Sequence, residues 1–155
     1  MDSSLEGHLH RRCGGRYQAA SETVTLRISG MAATVDRALF RCAKCGDEQR
    51  TIEQREAAEQ LAVAQMRESH QLLTPKAIRQ LRESLGLTHH QLGELLYGTP
   101  KGIVDGWERG RYLQNTAVDA MLRSLTDPDE LKRRAAKANV KLPEEQPAGG
   151  EASSE

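Results

Sequence analysis

The stretch that decides the fold is Leu85–Gly110, LGLTHHQLGELLYGTPKGIVDGWERG. Thr88 precedes a run in which Leu92, Leu95 and Leu96 recur at helical spacing, and Gln91 follows it by three residues. That spacing is a capping box and predicts a helix beginning just after Thr88. Gly98 breaks this helix. Thr99-Pro100 then predict the cap and first position of a second helix, because proline lacks an N–H that a first turn would leave unpaired anyway. Val104 and Trp107 lie three apart on one face of it, so Trp107 reads as core rather than as a stacking platform, and Gly110 ends it after Arg109. Two short capped helices joined by a glycine turn are the signature of a helix-turn-helix unit. In such a unit the second helix enters the major groove of a duplex. Its outward positions would be Lys101, Gly102, Asp105, Gly106 and Arg109. Thr99 stands at its mouth and Arg111 just beyond its end. Thr88, His89 and His90 open the preceding helix, where free amides can meet phosphate. Glu108 reads as a structural partner for a nearby arginine.

Outward from this pair, the segment 74–141 reads as five short helices. Thr74 caps the first, which carries Ile78, Leu81 and Leu85 and stops at Gly86. Asn115 opens the fourth, with Val118, Met121, Leu122 and Leu125. Asp127-Pro128 opens the fifth, which runs to about Asn139. Met121 and Leu131 look like spare apolar positions that a dimer could use. Upstream, residues 51–73 contain a Glu/Gln/Ala/Arg/Leu-rich run without glycine or proline, strong helix formers that predict one linking helix. Its partial apolar stripe holds Ala58, Leu61, Ala62, Gln65, Met66 and Leu72. Met1–Gly7 and the Pro/Gly/Ser/Glu tail 142–155 offer no core and are expected to be disordered.

The unit spanning residues 8–50 is bounded by two matching sequences, His10-Arg11-Arg12-Cys13-Gly14 and Cys42-Ala43-Lys44-Cys45-Gly46. Each places two metal-ligating side chains three residues apart on a turn that ends in glycine, the residue best able to adopt a left-handed backbone. Two such pairs make a closed Cys3His set, an arrangement suited to structural zinc. His10 is the expected fourth ligand, with His8 as its alternative. Between the pairs, Ser21–Ile28 alternates apolar Val24, Leu26 and Ile28 with polar Thr23, Thr25 and Arg27, a half-buried strand. Thr34–Phe40 suggests a second strand after the Ser29-Gly30 turn, giving a small hairpin. Zinc would replace the core that such a module lacks.

Composition agrees with these readings. The 155 residues are 37% hydrophobic but only 3% aromatic, and two small units of this kind would each need a staple. The chain holds 22 basic and 22 acidic residues. Thr74–Lys141 holds 12 Lys/Arg against 8 Asp/Glu, whereas the tail holds four glutamates and no base. Such asymmetry fits a phosphate-facing helical region. With three cysteines and no apolar leader, metal binding outranks a disulfide. No run approaches the ~20 apolar residues of a membrane span. A cytoplasmic, nucleoid-associated protein with no membrane partner is expected. No phosphate loop, HExxH or activated cysteine is found, so no catalytic residues are assigned and an enzyme is not expected.

The residues Leu87-Thr88, Leu92, Leu96 and Trp107-Glu108-Arg109-Gly110 resemble those of the Xre/Cro-type repressor domain. With the two-knuckle unit upstream, the order over His8–Leu131 resembles the MqsA-type antitoxin family, with its YgiT-type zinc finger. The family has cysteine where this chain has His10, and polar or basic residues where it has Gly102 and Gly106. The resemblance implies a homodimer that binds a palindromic operator on double-stranded DNA, and a partner toxin held through the zinc module. The expected architecture is mainly α: a small zinc-bound β-hairpin module (8–50), a linker helix (51–73) and a five-helix lambda-repressor-like helix-turn-helix domain (74–141). The expected function is a sequence-specific repressor, the antitoxin of a type II pair that regulates its own operon. A stand-alone phage-type or metabolic regulator, or a protein-interaction adaptor that no longer reads DNA, are the alternatives.

Overall fold

The computed structural model describes residues 4–143. The chain divides into two compact units, Met1–Leu72 and Leu73–Glu155. The first is built on a three-stranded antiparallel sheet of order β1-β2-β3, with β1 at Tyr17–Ile28, β2 at Met31–Cys42 and β3 at Glu48–Gln49, followed by helix α1 at Ile52–Ser69. Strands β1 and β2 are joined by two residues, Ser29 (φ 51°) and Gly30 (φ 78°), both left-handed. A two-residue turn of this kind has the twist of the flanking strands. It pins the register over the whole hairpin, from Ile28 opposite Met31 to Tyr17 opposite Cys42.

Alternation then sorts the side chains. Val24, Leu26 and Ile28 share one face with Met31, Ala33, Val35 and Leu39, and the β2 members of that set are buried. Helix α1 covers this face, lying mainly along β2. Thr51 caps it through a reciprocal pair of hydrogen bonds with Gln54. Its buried stripe is Ala58, Ala62 and Met66 at four-residue spacing. Two alanines in that stripe let helix and sheet approach closely, so little apolar area is needed to hold them. Leu61, counted in the predicted stripe, is 57% exposed. The other sheet face is polar over much of its length, with Thr23 donating to Asp36 at 2.7 Å and Thr25 beside Thr34 at 2.9 Å.

This layout overturns the mainly α expectation, with its small zinc hairpin, linker helix and lambda-repressor-like domain. The chain begins with two twelve-residue strands and a third short one, and α1 belongs to the sheet unit as its cover rather than standing between modules. The strands extend beyond the predicted Ser21–Ile28 and Thr34–Phe40 because the tight turn zips the pairing outward through Tyr17–Ala20 and Met31–Ala33. Apart from Tyr17, those residues have little β propensity of their own. The expected disordered lead is also corrected over its described part. Leu5 packs against the cluster of Tyr17, Phe40 and Cys42, and the Gly7 amide donates to the Tyr17 carbonyl at 2.8 Å.

The second unit holds α2 (Pro75–Ser84), α3 (His89–Leu95), α4 (Lys101–Glu108), α5 (Thr116–Ser124) and α6 (Pro128–Ala138). Thr74, Thr88, Asn115 and Asp127 cap four of them through their side chains. Ile78, Leu92, Leu95, Leu96, Val104, Trp107, Leu122 and Leu125 are among its core. Met121, Leu131 and Leu142 pack partly buried against that core, so the first two are not spare positions and the tail begins later than expected. Residues 144–155 of the predicted tail, and 1–3 of the lead, lie outside the described residues. No described helix is long and apolar enough to cross a membrane.

A buried polar knot ties the start of this unit to α5. Asp119, 5% exposed, accepts the Leu73 amide at 2.7 Å and the Gln114 side-chain amide at 3.1 Å on one oxygen, and Arg123 at 2.8 Å on the other. Gln114 also donates to the Leu73 carbonyl at 2.8 Å. Removing the carboxylate strands two buried donors. Asp119→Ala is therefore expected to destabilise this unit by about 1–3 kcal/mol. Urea unfolding followed by fluorescence of Trp107, the sole tryptophan, measures it.

Candidate functional site

Two features carry chemistry. The first lies at the open end of the β1–β2 hairpin. The register that sets Tyr17 opposite Cys42 also sets the knuckle preceding β1 beside the one following β2. In the first knuckle the Cys13 and Gly14 amides both turn toward the His10 carbonyl, at 3.3 and 2.9 Å, with Gly14 at φ 74°. In the second the Gly46 amide donates to the Cys42 carbonyl at 2.9 Å, with Gly46 at φ 77°. The two turns converge. His10, Cys13, Cys42 and Cys45 bring their ligand atoms within 4.8 Å of one another. His10 Nδ1 lies 3.3 Å from the sulfurs of both Cys13 and Cys45, and the Cys13 and Cys42 sulfurs are 3.4 Å apart.

The donor set fits a metal ion. A tetrahedral site with bonds of about 2.0–2.3 Å has donor–donor edges of roughly 3.5–3.8 Å, close to these separations. The four residues could hold such an ion, as the sequence reading placed them, and His8 is not among them. Two further observations suit that use. The Cys42 thiol is drawn down to about 6, chiefly by the Cys45 backbone N–H, with the Lys44 N–H and the Cys13 and His10 side chains adding to it against burial. A thiol so placed ionises readily, and the thiolate is the metal-binding form. At Cys45 the Asp47 backbone N–H pulls the thiol down, but burial and the Cys13 and Cys42 side chains outweigh it and push the thiol up. Gly15 leaves the space: a Cβ there would lie 2.6 Å from the Cys42 sulfur. Its amide donates to the Cys13 sulfur at 3.3 Å.

Residues the sequence reading missed surround the donors. His10 Nε2 faces Asp47 at 3.8 Å, beyond hydrogen-bond reach but on the side where a carboxylate orients a ligating imidazole. Asp47 in turn accepts Tyr17 Oη at 2.7 Å and Gln49 at 3.1 Å. That hydrogen bond to Asp47, with burial, pushes the Tyr17 phenol up to about 12, so it stays a donor. The second glycine of Gly14-Gly15 and the aspartate directly after Gly46 were the available signals. Gly15→Ala is expected to abolish stoichiometric metal binding while leaving Trp107 fluorescence unchanged, as read by metal analysis of the purified protein.

The second feature is the α3–α4 pair. Tyr97 (φ 62°) and Gly98 (φ 73°) make the turn. Gly93 sits where a Cβ would meet the Thr99 carbonyl oxygen at 2.0 Å, and it accepts the Thr99 amide at 2.8 Å. This close approach, which the sequence reading did not single out, is the reason the turn can be so short. Thr99 does not cap α4. Pro100 holds the N-cap position, and the Thr99 hydroxyl donates back to the Leu96 carbonyl at 2.8 Å. Val104 and Trp107 bury the inner face of α4. Gly106 is also inside, covered by the Tyr112 ring, which corrects its outward assignment.

Glu108 fixes the end of α4. Its carboxylate takes both Arg82 Nε at 2.6 Å and Nη2 at 3.1 Å from α2, and His89 Nε2 at 3.0 Å from α3. The Glu108 side chain is 5% exposed and that of Arg82 12%. Burial pushes the Glu108 carboxyl up, but the Arg82 and His89 hydrogen bonds outweigh it and hold the group below the ordinary glutamate range. His89 is thus half-buried and occupied rather than free. Of the other candidates, Thr88 is taken up by the capping box, its hydroxyl accepting the Gln91 amide and its own amide donating to the Gln91 side chain, while His90 stays exposed. Lys101, Gly102, Arg109 and Arg111 are exposed. Asp105 holds Arg109 Nε at 2.9 Å. Nothing lies within 4 Å of a Cβ added at Gly102.

No family model matches the chain, and no curated protein matches its sequence.

Because Glu108 ionises more readily folded than unfolded, it stabilises the protein above the unfolded glutamate pKa of about 4.3. That contribution is lost as pH falls through the lower folded value. Glu108→Ala leaves Arg82 buried without its counter-ion and is expected to cost about 3–5 kcal/mol at neutral pH. Glu108→Gln is expected to flatten the acid limb of a stability–pH curve measured by urea unfolding.

Proposed function

We propose that the protein is a DNA-binding transcriptional regulator whose α4 lies in the major groove of a duplex, with a structural zinc ion in the His10/Cys13/Cys42/Cys45 cluster. The observation that carries the reading is the two-sided character of α4. Its inner side is locked by Val104, Trp107 and Glu108. Its outer side presents Lys101, Gly102 and Arg109, with Arg111 just beyond, open to solvent. A short helix held rigidly from behind, with Lys101 unpaired among the described residues and Arg109 paired to Asp105 on its open side, is suited to enter a groove about 12 Å wide. Lys101 and Arg111 would meet phosphates, and Arg109, tethered to Asp105, is the candidate for a base edge.

Zinc would supply four strong bonds at the end of the hairpin where Tyr17, Phe40 and Cys42 form only a small apolar cluster, and the thiol-rich donor set favours it over magnesium or calcium. Both knuckles are closed by protein ligands, which supports a structural rather than catalytic ion. The resemblance of the whole order to MqsA-type antitoxins extends the proposal to a dimer that represses its own operon on a palindrome and neutralises a toxin through the metal-bearing unit.

Selection of bound sequences from random duplex DNA tests the reading. A consensus should emerge whose affinity falls steeply with salt, as phosphate-mediated binding must. Arg109→Ala should weaken the selected site by about 1–3 kcal/mol if it touches a base. Absence of binding at low salt would sink the DNA-binding proposal. Zinc is tested by Cys42→Ser, which should release one metal equivalent and loosen the knuckle end of the hairpin while Trp107 fluorescence is retained.

A further inference from the structure

The α3–α4 turn carries a second cluster. Tyr97, held at φ 62° and 71% exposed, presents its ring to α6. Arg134 lies 5.5 Å and the Lys137 ammonium 5.9 Å from the ring centroid. Together with Gly98, Arg133 and Glu94 they line an open hollow of about 350 Å³. An exposed tyrosine in a left-handed conformation is costly for an ordinary turn, because most side chains avoid positive φ. Here the ring is retained on the surface beside two cations of α6 rather than buried.

The charge inventory decides what the hollow takes. Glu130 accepts Arg133 at 2.6 and 2.8 Å and Arg134 at 2.6 Å, so one carboxylate is shared between two guanidinium groups. Glu94 supplies one further negative charge at the rim. Against three cations this leaves about one positive charge in excess, and Lys137 is the cation with no ion pair among the described residues. The Tyr97 ring holds the two α6 cations beside the turn.

We propose that this cluster is a phosphate-binding site for the DNA backbone, separate from α4 itself. It rests on the DNA-binding reading of α4 and adds an anchor from a different helix. The continuity is direct: Tyr97 and Gly98 are followed by Thr99, Pro100 and then Lys101, the first residue of α4. A helix end that enters the major groove has a phosphate wall on each side. The turn leading into that end must pass one of these walls. Lys137, positioned there by the aromatic ring beside the Glu130-paired Arg134, meets a phosphate with little loss of side-chain freedom. The site makes no distinction between bases, so it contributes affinity and orientation rather than sequence preference.

The test uses the full-length protein and a duplex obtained by selection with the wild type, with binding measured by fluorescence anisotropy across a series of salt concentrations. Lys137→Gln and Tyr97→Leu should each weaken binding several-fold and by the same factor on selected and random duplexes. The slope of log K against log salt should fall by about 1 for Lys137→Gln, one phosphate fewer. Tyr97→Phe, which keeps the ring, should preserve most of the affinity. Trp107 fluorescence melting checks that each variant is folded. If the wild type shows a steep slope and Lys137→Gln leaves both slope and affinity unchanged, the second anchor is wrong and the α4 reading survives. If the wild type binds no duplex at low salt, both fall together. A loss confined to the selected duplex would assign Tyr97 and Lys137 to base recognition and overturn the phosphate site.

Discussion

The buried carboxylate of Glu108 is the constraint on which the placement of α4 depends. One side chain joins three helices, taking Arg82 from α2 and His89 from α3 while sitting in the last turn of α4. An ion pair at this depth contributes little net stability, because desolvation offsets most of the attraction. Its value is geometric. An unpaired partner would be so costly that any arrangement separating α2 from α4 is disfavoured. Arg82 also donates to the Leu87 carbonyl at 3.0 Å, fastening the loop that leads into α3. Apolar contacts from Val104 and Trp107 could be met by several rotations of α4, whereas a bidentate arginine admits very few. Orientation of the exposed face therefore follows from a polar contact inside the unit.

The His10/Cys13/Cys42/Cys45 cluster is governed by a different constraint, the hairpin register. Its side chains come from turns separated by almost thirty residues, and they meet because Ser29-Gly30 commits every pair down to Tyr17 and Cys42. A slip of one residue would turn Cys42 to the other face of the sheet. A two-stranded ribbon alone is marginal in water. The α1 cover stabilises one face near the turn, and the convergent donors lie at the other end, where Tyr17, Phe40 and Cys42 form only a small apolar cluster. The two ends of the hairpin are thus secured by unlike means, one by packing and one by donors suited to an ion.

Much of the local structure could be read from the chain because local rules dominate there. Thr88 with Gln91, Thr74 with Pro75, and Asn115 all sit at helix starts, and both knuckles announce their ligands by spacing. What was not legible depended on contacts distant in sequence. Tyr17–Ala20 joins a strand because a turn ten residues away pairs it, not because glutamine and alanine favour extension. The thin apolar stripe of α1 reads as that of a connector, and only the sheet beneath it explains why Ala58, Ala62 and Met66 suffice. Gly106 was placed outward by helical period, but the chain beyond α4 folds Tyr112 back over it. Thr99 has a capping residue's identity, yet its hydroxyl is claimed by Leu96 in the preceding turn.

The outer face of α4 bears few side chains able to reach a base edge, and this shapes what recognition would require. Gly102 contributes none, Asp105 is engaged with Arg109, and Gly106 is inside. A guanidinium tethered to a carboxylate on the same helix has fewer orientations to lose when it meets a guanine, so its contact would be more specific than its count suggests. With so short a list of base contacts, affinity on the DNA-binding reading has to come largely from the phosphates. Phosphate contacts cannot choose a sequence, but they fix the depth and tilt at which a single arginine is presented. A sparse reading helix therefore demands a rigid mount, and the Glu108 clamp behind α4 has that character.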